Sequence, residues 1–235
     1  MTPIVPDIVR EALSVLPHPA RSPETDALLY RYLEALLETN RKINLVSRRD
    51  TLAHVARFTR ECAHLARILL EDEPRLGASR PRLLDLGSGG GFPGLVLKLL
   101  LPQAETTLVE ATRKKALFLA DTCRALDLSG ITVIWSRAEA LSDRGQPSFR
   151  PDLRHRFDWV TAKALGTLRD SARLAAPFLA EGGQHWTFKG KGCDEELRDC
   201  RSLLRWLRLE LLRVEPIPGD QASSLVAIRR PPPEP

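Results

Sequence analysis

Apolar positions in the first third of the chain recur at helical spacing. Residues 22–40 begin with Ser22 as a candidate N-cap and Pro23 in the first turn. A second run, residues 51–71, again places its apolar side chains on one helical face. The apolar positions of the two faces are Leu28, Leu29, Tyr32, Leu33, Leu36 and Leu37, then Leu52, Val55, Ala56, Leu65, Ile68 and Leu69. About the first 75 residues are therefore predicted to be all-helical.

From residue 82 onward, short apolar runs alternate with amphipathic segments. The runs RLLDLG, TTLVE, ITVIWS, FDWVTAKAL and QHWTF predict strands, and helical segments separate them. One of these helices, TLRDSARLAAPFLAEGG, is predicted to end at a cap formed by Gly182 and Gly183. The runs LELLRVEPI and SSLVAIRR predict two closing strands joined by a short turn. This order predicts an α/β fold with a Rossmann-like, mostly parallel sheet whose last strand is antiparallel.

The predicted organisation is an N-terminal helical region, residues 1–78, packed on a Rossmann-like domain, residues 79–230, with a flexible tail at 231–235. The net charge of +5 suits a polyanionic partner but is also compatible with plain solubility. The sequence shows neither a signal peptide nor an apolar run long enough to cross a membrane. Its four cysteines lack metal-ligand spacing, so reduced thiols, no bound metal and a cytoplasmic location are expected.

The segment LLDLGSGGGFPG, residues 83–94, carries the densest chemical signal. It follows the first predicted strand, and open parallel sheets bind ligands at the carboxyl ends of their strands. Two glycine patterns overlap in this segment. One is the dinucleotide fingerprint G-x-G-x-x-G starting at Gly89, and the other is an acid, Asp85, followed by alternate glycines at Gly87 and Gly89.

Acidic residues after the next two strands narrow the choice of cofactor. Glu110 ends the second predicted strand, where a carboxylate can accept both hydroxyls of a ribose, in NAD or in S-adenosylmethionine (SAM). Asp85 suits a cationic amino acid moiety, and Phe92-Pro93 takes space that a pyrophosphate would need. Glu139, after the third strand, can accept a hydrogen bond from an adenine amine. SAM is the favoured cofactor, and a nicotinamide-dependent dehydrogenase is the alternative.

Several segments in this order and spacing resemble the RsmG (GidB) family: NLVSRRD, LLDLGSGGGFPG, LVEATRKKALFL, SRAEAL, VTAKAL and FKGKG. The resemblance covers about residues 25–230 and implies a class I SAM-dependent methyltransferase that modifies guanine N7 in the 530 loop of 16S ribosomal RNA. The implied partner is that RNA or a small ribosomal subunit precursor. The glycine segment and the match together give the candidate cofactor-binding residues Asp85, Gly87, Ser88, Gly89, Phe92, Glu110, Ala111, Thr112, Ala138, Glu139 and Lys163.

The chain departs from the family pattern at a few positions. Lys163 stands where the family usually has arginine, and Phe58 where it has histidine. Ser223 and Ser224 replace a basic pair at the start of the last strand. These departures keep two alternatives open: the same cofactor with another RNA site or a small-molecule acceptor, and an RNA-binding relative without catalysis.

The chemistry implied by the resemblance requires little of the side chains. Guanine N7 already carries a lone pair and loses no proton on methylation, so no catalytic acid or base is nominated. We expect a monomer. Trp135, Trp159, Trp186 and Trp206 are expected to pack in the core. The candidate RNA-binding residues, in basic clusters predicted to open towards one rim of the sheet, are Asn44, Arg48, Arg49, Arg113, Lys114, Lys189 and Lys191.

Overall fold

The computed structural model describes residues 4–16, 22–72 and 80–232. The described residues before the sheet form three helices, α1 (Ile4–Leu13), α2 (Pro23–Asn40) and α3 (Thr51–Asp72), and the last two coincide with the helices predicted at 22–40 and 51–71. Ser22 caps α2 as predicted, because its hydroxyl accepts a hydrogen bond from the Thr25 backbone N–H at 3.1 Å. The predicted boundary at residue 78 and the last three residues of the tail lie outside the described ranges.

A seven-stranded sheet forms the centre of the remaining chain. Its strands lie in the order β3-β2-β1-β4-β5-β7-β6; β1 to β5 are parallel, and β7 is antiparallel to both of its neighbours. The mostly parallel sheet with an antiparallel end is therefore confirmed. The strand order reverses between β1 and β4, which is where open α/β sheets bind ligands. The strands are β1 (Arg82–Leu86), β2 (Glu105–Glu110), β3 (Ile131–Trp135), β4 (Phe157–Lys163), β5 (Leu179–Lys189), β6 (Glu210–Ile217) and β7 (Asp220–Arg229).

Five helices connect these strands. One of them, α7, ends at Ala175 instead of extending to the predicted cap at Gly182-Gly183. Both glycines lie inside β5, beside the point where its register with β4 shifts, and a Cβ at Gly183 would lie 2.7 Å from the Phe157 carbonyl oxygen. The glycines therefore serve a close approach of two strands. The helices are α4 (Gly94–Leu100), α5 (Arg113–Ala125), α6 (Ala138–Ser142), α7 (Leu168–Ala175) and α8 (Cys193–Trp206).

Helices cover both faces of the sheet. Leu83 of β1 belongs to the apolar cluster that also holds residues of α1 to α5, whereas Leu84 belongs to the cluster of α7 and α8. Consecutive residues of a strand point to opposite faces, so one short strand supplies both cores. The N-terminal helices thus share a core with the sheet. None of the helices in the described ranges is long and apolar enough to cross a membrane.

Candidate functional site

The loop between β1 and α4 presents open backbone at the carboxyl edge of the sheet. Gly87 and Gly89 adopt φ angles of +71° and +56°, in the left-handed region that favours glycine. A Cβ at Gly87 would lie 2.7 Å from Leu165 Cδ2, whereas one at Gly89 would meet nothing closer than 3.8 Å. Gly89 therefore faces open space, and an approaching molecule reaches its main chain directly.

The two later glycines of the dinucleotide pattern face protein. A Cβ at Gly91 would lie 2.8 Å from Tyr32 Oη, and one at Gly94 would lie 2.5 Å from Asp85 Cβ. Both positions need glycine because helices and a strand pack against them. The later part of the G-x-G-x-x-G pattern therefore serves packing, and Gly89 is the glycine that presents open backbone.

Asp85 has a different role from the one expected from the sequence. Its side chain is fully buried, and its carboxylate accepts hydrogen bonds from the Gly94 backbone N–H at 3.1 Å and the Thr161 hydroxyl at 2.7 Å. Burial raises the pKa of this carboxyl from 3.8 to about 6. The residue ties the start of α4 and strand β4 to the loop, and each of its carboxylate oxygens has a protein partner.

Glu110 links the ends of β1 and β2. Its Oε2 accepts a hydrogen bond from the Gly89 N–H at 2.8 Å, and its Oε1 accepts one from the Thr112 N–H at 2.7 Å. The carboxylate is thereby held in one orientation beside the open face of the loop. Each oxygen keeps a second lone pair, so the group can still accept from two hydroxyls.

The N-terminal helices hold the loop from its other side. The Tyr32 hydroxyl in α2 donates a 2.8 Å hydrogen bond to the Gly90 carbonyl. The ring of Phe92 packs against Tyr32 and against Phe58 of α3, with ring centroids 5.9 and 5.5 Å away. Phe92 is only 6% exposed, so its main contribution is to fasten the loop to these two helices.

Two departures from the family pattern contact each other at the end of β4. The Lys163 ammonium pairs with Glu61 of α3 and lies 4.2 Å from the ring centroid of Phe58 and 4.4 Å from that of Phe188. Glu61 is 3% exposed, and Arg57 stands 3.7 Å from its other oxygen. The charge of Lys163 is therefore enclosed by a carboxylate and two phenyl rings, and its expected contact with the cofactor stays a prediction.

The remaining cofactor candidates lie along the same edge of the sheet. Ser88 is buried and its hydroxyl donates to the Asp85 carbonyl at 3.1 Å. Ala111 and Thr112, which follow β2, are exposed. Ala138 and Glu139 begin α6, the first buried and the second exposed. The exposed members of this group follow the carboxyl ends of β2 and β3, and Glu110 bonds both the Thr112 and the Gly89 N–H groups.

The structure corrects one member of the RNA-binding set. Lys189 is 7% exposed; its ammonium pairs with Glu196 at 2.9 Å and donates to the Gly166 carbonyl at 2.9 Å. A buried, paired lysine of this kind holds α8 and the loop after β4 together. The other six residues are exposed, as an RNA surface requires: Asn44, Arg48, Arg49, Arg113, Lys114 and Lys191.

Two residues that sequence reasoning missed organise this edge. Asn40 ends α2, and its Oδ1 accepts hydrogen bonds from the Leu45 and Val46 N–H groups at 2.8 and 3.0 Å, which shapes the α2–α3 loop. Glu61 lies on the buried face of α3 among apolar side chains. The signal that could have identified Glu61 is an acid at an apolar position of the helical pattern.

The tryptophan expectation is correct for two residues and wrong for two. Trp159 and Trp186 are buried at 1% and 0% exposure, whereas Trp135 and Trp206 are 60% and 77% exposed. Trp135 ends the edge strand β3, and Trp206 ends α8, so neither has a packed layer over it.

Comparison with known proteins agrees with this geometry. The family model for rRNA small subunit methyltransferase G matches residues 25–223. The chain is 35% identical to ribosomal RNA small subunit methyltransferase G of Roseiflexus castenholzii over 207 residues, covering 87% of this chain and 83% of that protein. The same protein of Chloroflexus aggregans is 35% identical over 211 residues, covering 89% and 83%.

Among solved structures, the branched-chain polyamine synthase of Thermus thermophilus superimposes with a TM-score of 0.59, covering 87% of this chain and 65% of that one. At 12% sequence identity, this likeness concerns the fold alone. The family model and the curated relatives, in contrast, extend over most of the chain, including the glycine loop, Glu110 and the N-terminal helices that hold the loop. The chain belongs to the family of the ribosomal RNA small subunit methyltransferase G.

Proposed function

We propose that this protein transfers a methyl group from SAM to N7 of a guanine in the 530 loop of 16S ribosomal RNA. Members of its family are SAM-dependent methyltransferases that act on small-subunit ribosomal RNA. The observation that carries the proposal is the open glycine loop beside Glu110, at the switch point of the sheet, in a chain that matches this family over most of its length. We further propose that it works in the cytoplasm as a monomer, on the RNA or on a small ribosomal subunit precursor.

The residues present fit the cofactor. When bound, SAM supplies an electrophilic methyl group on a sulfonium. The open face of Gly89 admits a ligand to the main chain, and the free lone pairs of Glu110 suit the two ribose hydroxyls. Asp85 and Lys163 stabilise the walls of the site through their contacts with protein groups. The proposed cofactor surface is Gly87, Gly89, Glu110, Ala111, Thr112, Ala138 and Glu139.

The work of the chain in such a reaction is positioning. Guanine N7 has its lone pair available and no proton to lose, so none of the site residues has to act as a base. Glu110 and the glycine loop orient the donor at the ends of β1 and β2. The enclosed Lys163, with Phe58 and Phe188, forms the wall of the site at the end of β4 and keeps water from that side.

The proposed RNA surface extends around the same edge. Asn44, Arg48 and Arg49 lie in the α2–α3 loop, whose Leu45 approaches the glycine loop: a Cβ at Gly90 would lie 3.4 Å from it. Arg113 and Lys114 follow β2 and Lys191 follows β5, both at strand ends on this edge. Exposed cations on one rim are suited to contact RNA phosphates.

Mass-spectrometric mapping of 16S ribosomal RNA tests the target. In a strain lacking the gene, the 530-loop guanine should lose its N7 methyl group, and the wild-type gene should restore it. A Gly87→Val copy should express but not restore it. If the guanine stays methylated in the deletion strain, the target is wrong, and another RNA site or a small-molecule acceptor becomes the function to test.

A further inference from the structure

A fixed, exposed indole lies at the rim of the site. Trp135 is the last residue of β3 and pairs in register with Glu110, the last residue of β2. Its side chain is 60% exposed, yet its Nε1–H donates a 3.1 Å hydrogen bond to the Ala111 carbonyl, within the proposed cofactor surface. The ring is therefore held in one orientation while much of its surface remains in water, which favours a binding role over a packing role.

One cation lies over this ring, and two more are near it in the chain. The Arg113 guanidinium lies 5.5 Å from the indole centroid, and the neighbouring Lys114 and Arg137 are exposed. Helix α5 has no acidic residue in its first turn and begins with Arg113, Lys114 and Lys115, whereas α2, α7 and α8 all carry acids there. Cations at a helix start oppose the helix dipole, so the stability of α5 does not account for them.

We propose that Trp135 and Arg113 form a stacking platform for one unpaired nucleotide of the RNA substrate, with Lys114 and Arg137 contacting its phosphates. The inference rests on the proposed function. Bases stack on aromatic rings and guanidinium planes, and sequence-specific RNA recognition mostly targets unpaired nucleotides. A flat ring within a cationic surface has the chemistry of a nucleotide site, whereas an apolar protein partner would not favour the charges.

The platform binds a neighbour of the methylated base. The edge strand β3 lies two strands away from β1, and neighbouring strands lie about 4.8 Å apart, so the end of β3 is about 10 Å from the end of β1, where the glycine loop begins. The nucleotide on Trp135 is therefore a neighbour of the one that meets the methyl donor at the glycine loop. Loss of the ring should raise the KM for RNA and leave kcat at saturating RNA unchanged.

The test compares Trp135→Ala with Trp135→Phe, and with Trp206→Ala as the matched control, since Trp206 is also exposed (77%, against 60% for Trp135) but lies at the far end of α8. Anisotropy with a labelled RNA hairpin carrying the 530 loop gives the Kd. Trp135→Ala should raise it by about 5-fold to about 100-fold, and Trp135→Phe by much less. Trp206→Ala should bind as wild type does, and calorimetry should give all variants the same SAM affinity.

The fluorescence of Trp135 provides a second measurement of RNA binding. With Trp206 replaced by phenylalanine, Trp135 is the exposed tryptophan that remains, because Trp159 and Trp186 are buried. The RNA hairpin should quench its fluorescence with the same Kd as the anisotropy assay. Circular dichroism and thermal unfolding check that Trp135→Ala is folded.

Each contrary outcome has its own meaning. Wild-type RNA affinity in a folded Trp135→Ala protein that still methylates RNA overturns the platform alone. If Trp135→Ala binds SAM more weakly and RNA as before, the ring belongs to the cofactor site. If it binds assembled subunits more weakly but the hairpin as before, the ring contacts a protein partner. Both outcomes overturn the proposal. A wild-type protein that neither binds nor methylates the hairpin or a small ribosomal subunit precursor overturns the proposed function and the platform together.

Discussion

Replacing Asp85 by asparagine isolates the effect of one buried charge on folding. In the wild type the carboxylate accepts from the Gly94 N–H and the Thr161 hydroxyl. An asparagine of the same shape can accept from the first and donate to the oxygen of the second. The substitution therefore removes the charge and keeps both contacts, so its effect should depend on pH.

The sign and size follow from the pKa. Burial raises the pKa of Asp85 from 3.8 to about 6, so between these values the folded protein binds a proton that the unfolded chain has released. Stability is therefore lost as the pH rises through this window, by about 3 kcal/mol in all. About 2 kcal/mol of that loss should fall between pH 4 and pH 7.

Urea unfolding followed by circular dichroism, at intervals from pH 4 to pH 7, measures the difference. The free energy of unfolding of Asp85→Asn, relative to wild type, should rise with pH by about 2 kcal/mol over this range. Other titrating groups contribute equally to both proteins and cancel. Parallel curves for the two proteins would show that Asp85 is already ionised in the folded state at low pH and would refute the reasoning.

A second buried group provides a companion variant of opposite sign. His185 is fully buried, and burial lowers its pKa from 6.5 to about 4, so it stays neutral while the unfolded chain takes up a proton. Its Nδ1 bonds the Val160 carbonyl at 3.0 Å. His185→Gln should remove a stability loss of about 3 kcal/mol that wild type suffers as the pH falls from 7 to 4.

Three further substitutions test other contacts. Gly87→Val should abolish SAM binding in calorimetry, because a branched side chain at a φ of +71° both strains the loop and displaces it; retained affinity would contradict the loop placement. Lys163→Met should lower the free energy of unfolding by less than the about 3–5 kcal/mol of a fully unpaired buried charge, because Glu61 then keeps only Arg57, 3.7 Å from its other oxygen. Adding Glu61→Gln should recover much of this loss, and an additive double variant would contradict the pairing. Lys191→Ala should lower the slope of log K against log salt for RNA by about 0.7, whereas Lys189→Ala should destabilise the fold and leave that slope unchanged; equal slopes for Lys191→Ala and wild type would remove Lys191 from the RNA surface.

Local patterns were sufficient to predict the sheet and the position of the loop. The apolar runs at β1 to β4, the glycines after β1 and the acid ending β2 each follow from spacing within a few residues. The helix α7 was predicted too long because Gly182-Gly183 has the composition of a helix cap. The two glycines are instead required by the approach of β5 to β4, a strand about 25 residues away in sequence.

Side-chain roles were harder to predict because they depend on distant partners. Asp85 was assigned to the cofactor on its place before the first glycine, Lys163 on the family match and Lys189 to RNA on its place at the end of the fifth strand. The structure gives all three charges protein partners. The partners of Lys163 and Lys189 come from α3 and α8, elements whose packing no local pattern specifies. Conversely, the sequence predicts Trp135 to be a core residue, but the side chain is exposed because β3 lies at the edge of the sheet.

The contacts of Tyr32 in α2 and Phe58 in α3 with the glycine loop couple ligand binding at the loop to the stability of these two helices. Because Tyr32 and Phe58 hold the loop in its open shape, any ligand that selects this shape also favours the folded form of both helices. Saturating cofactor should therefore slow amide hydrogen exchange in α2 and α3. A fragment beginning at residue 80 would retain every strand of the sheet, yet it would not be a minimal methyltransferase.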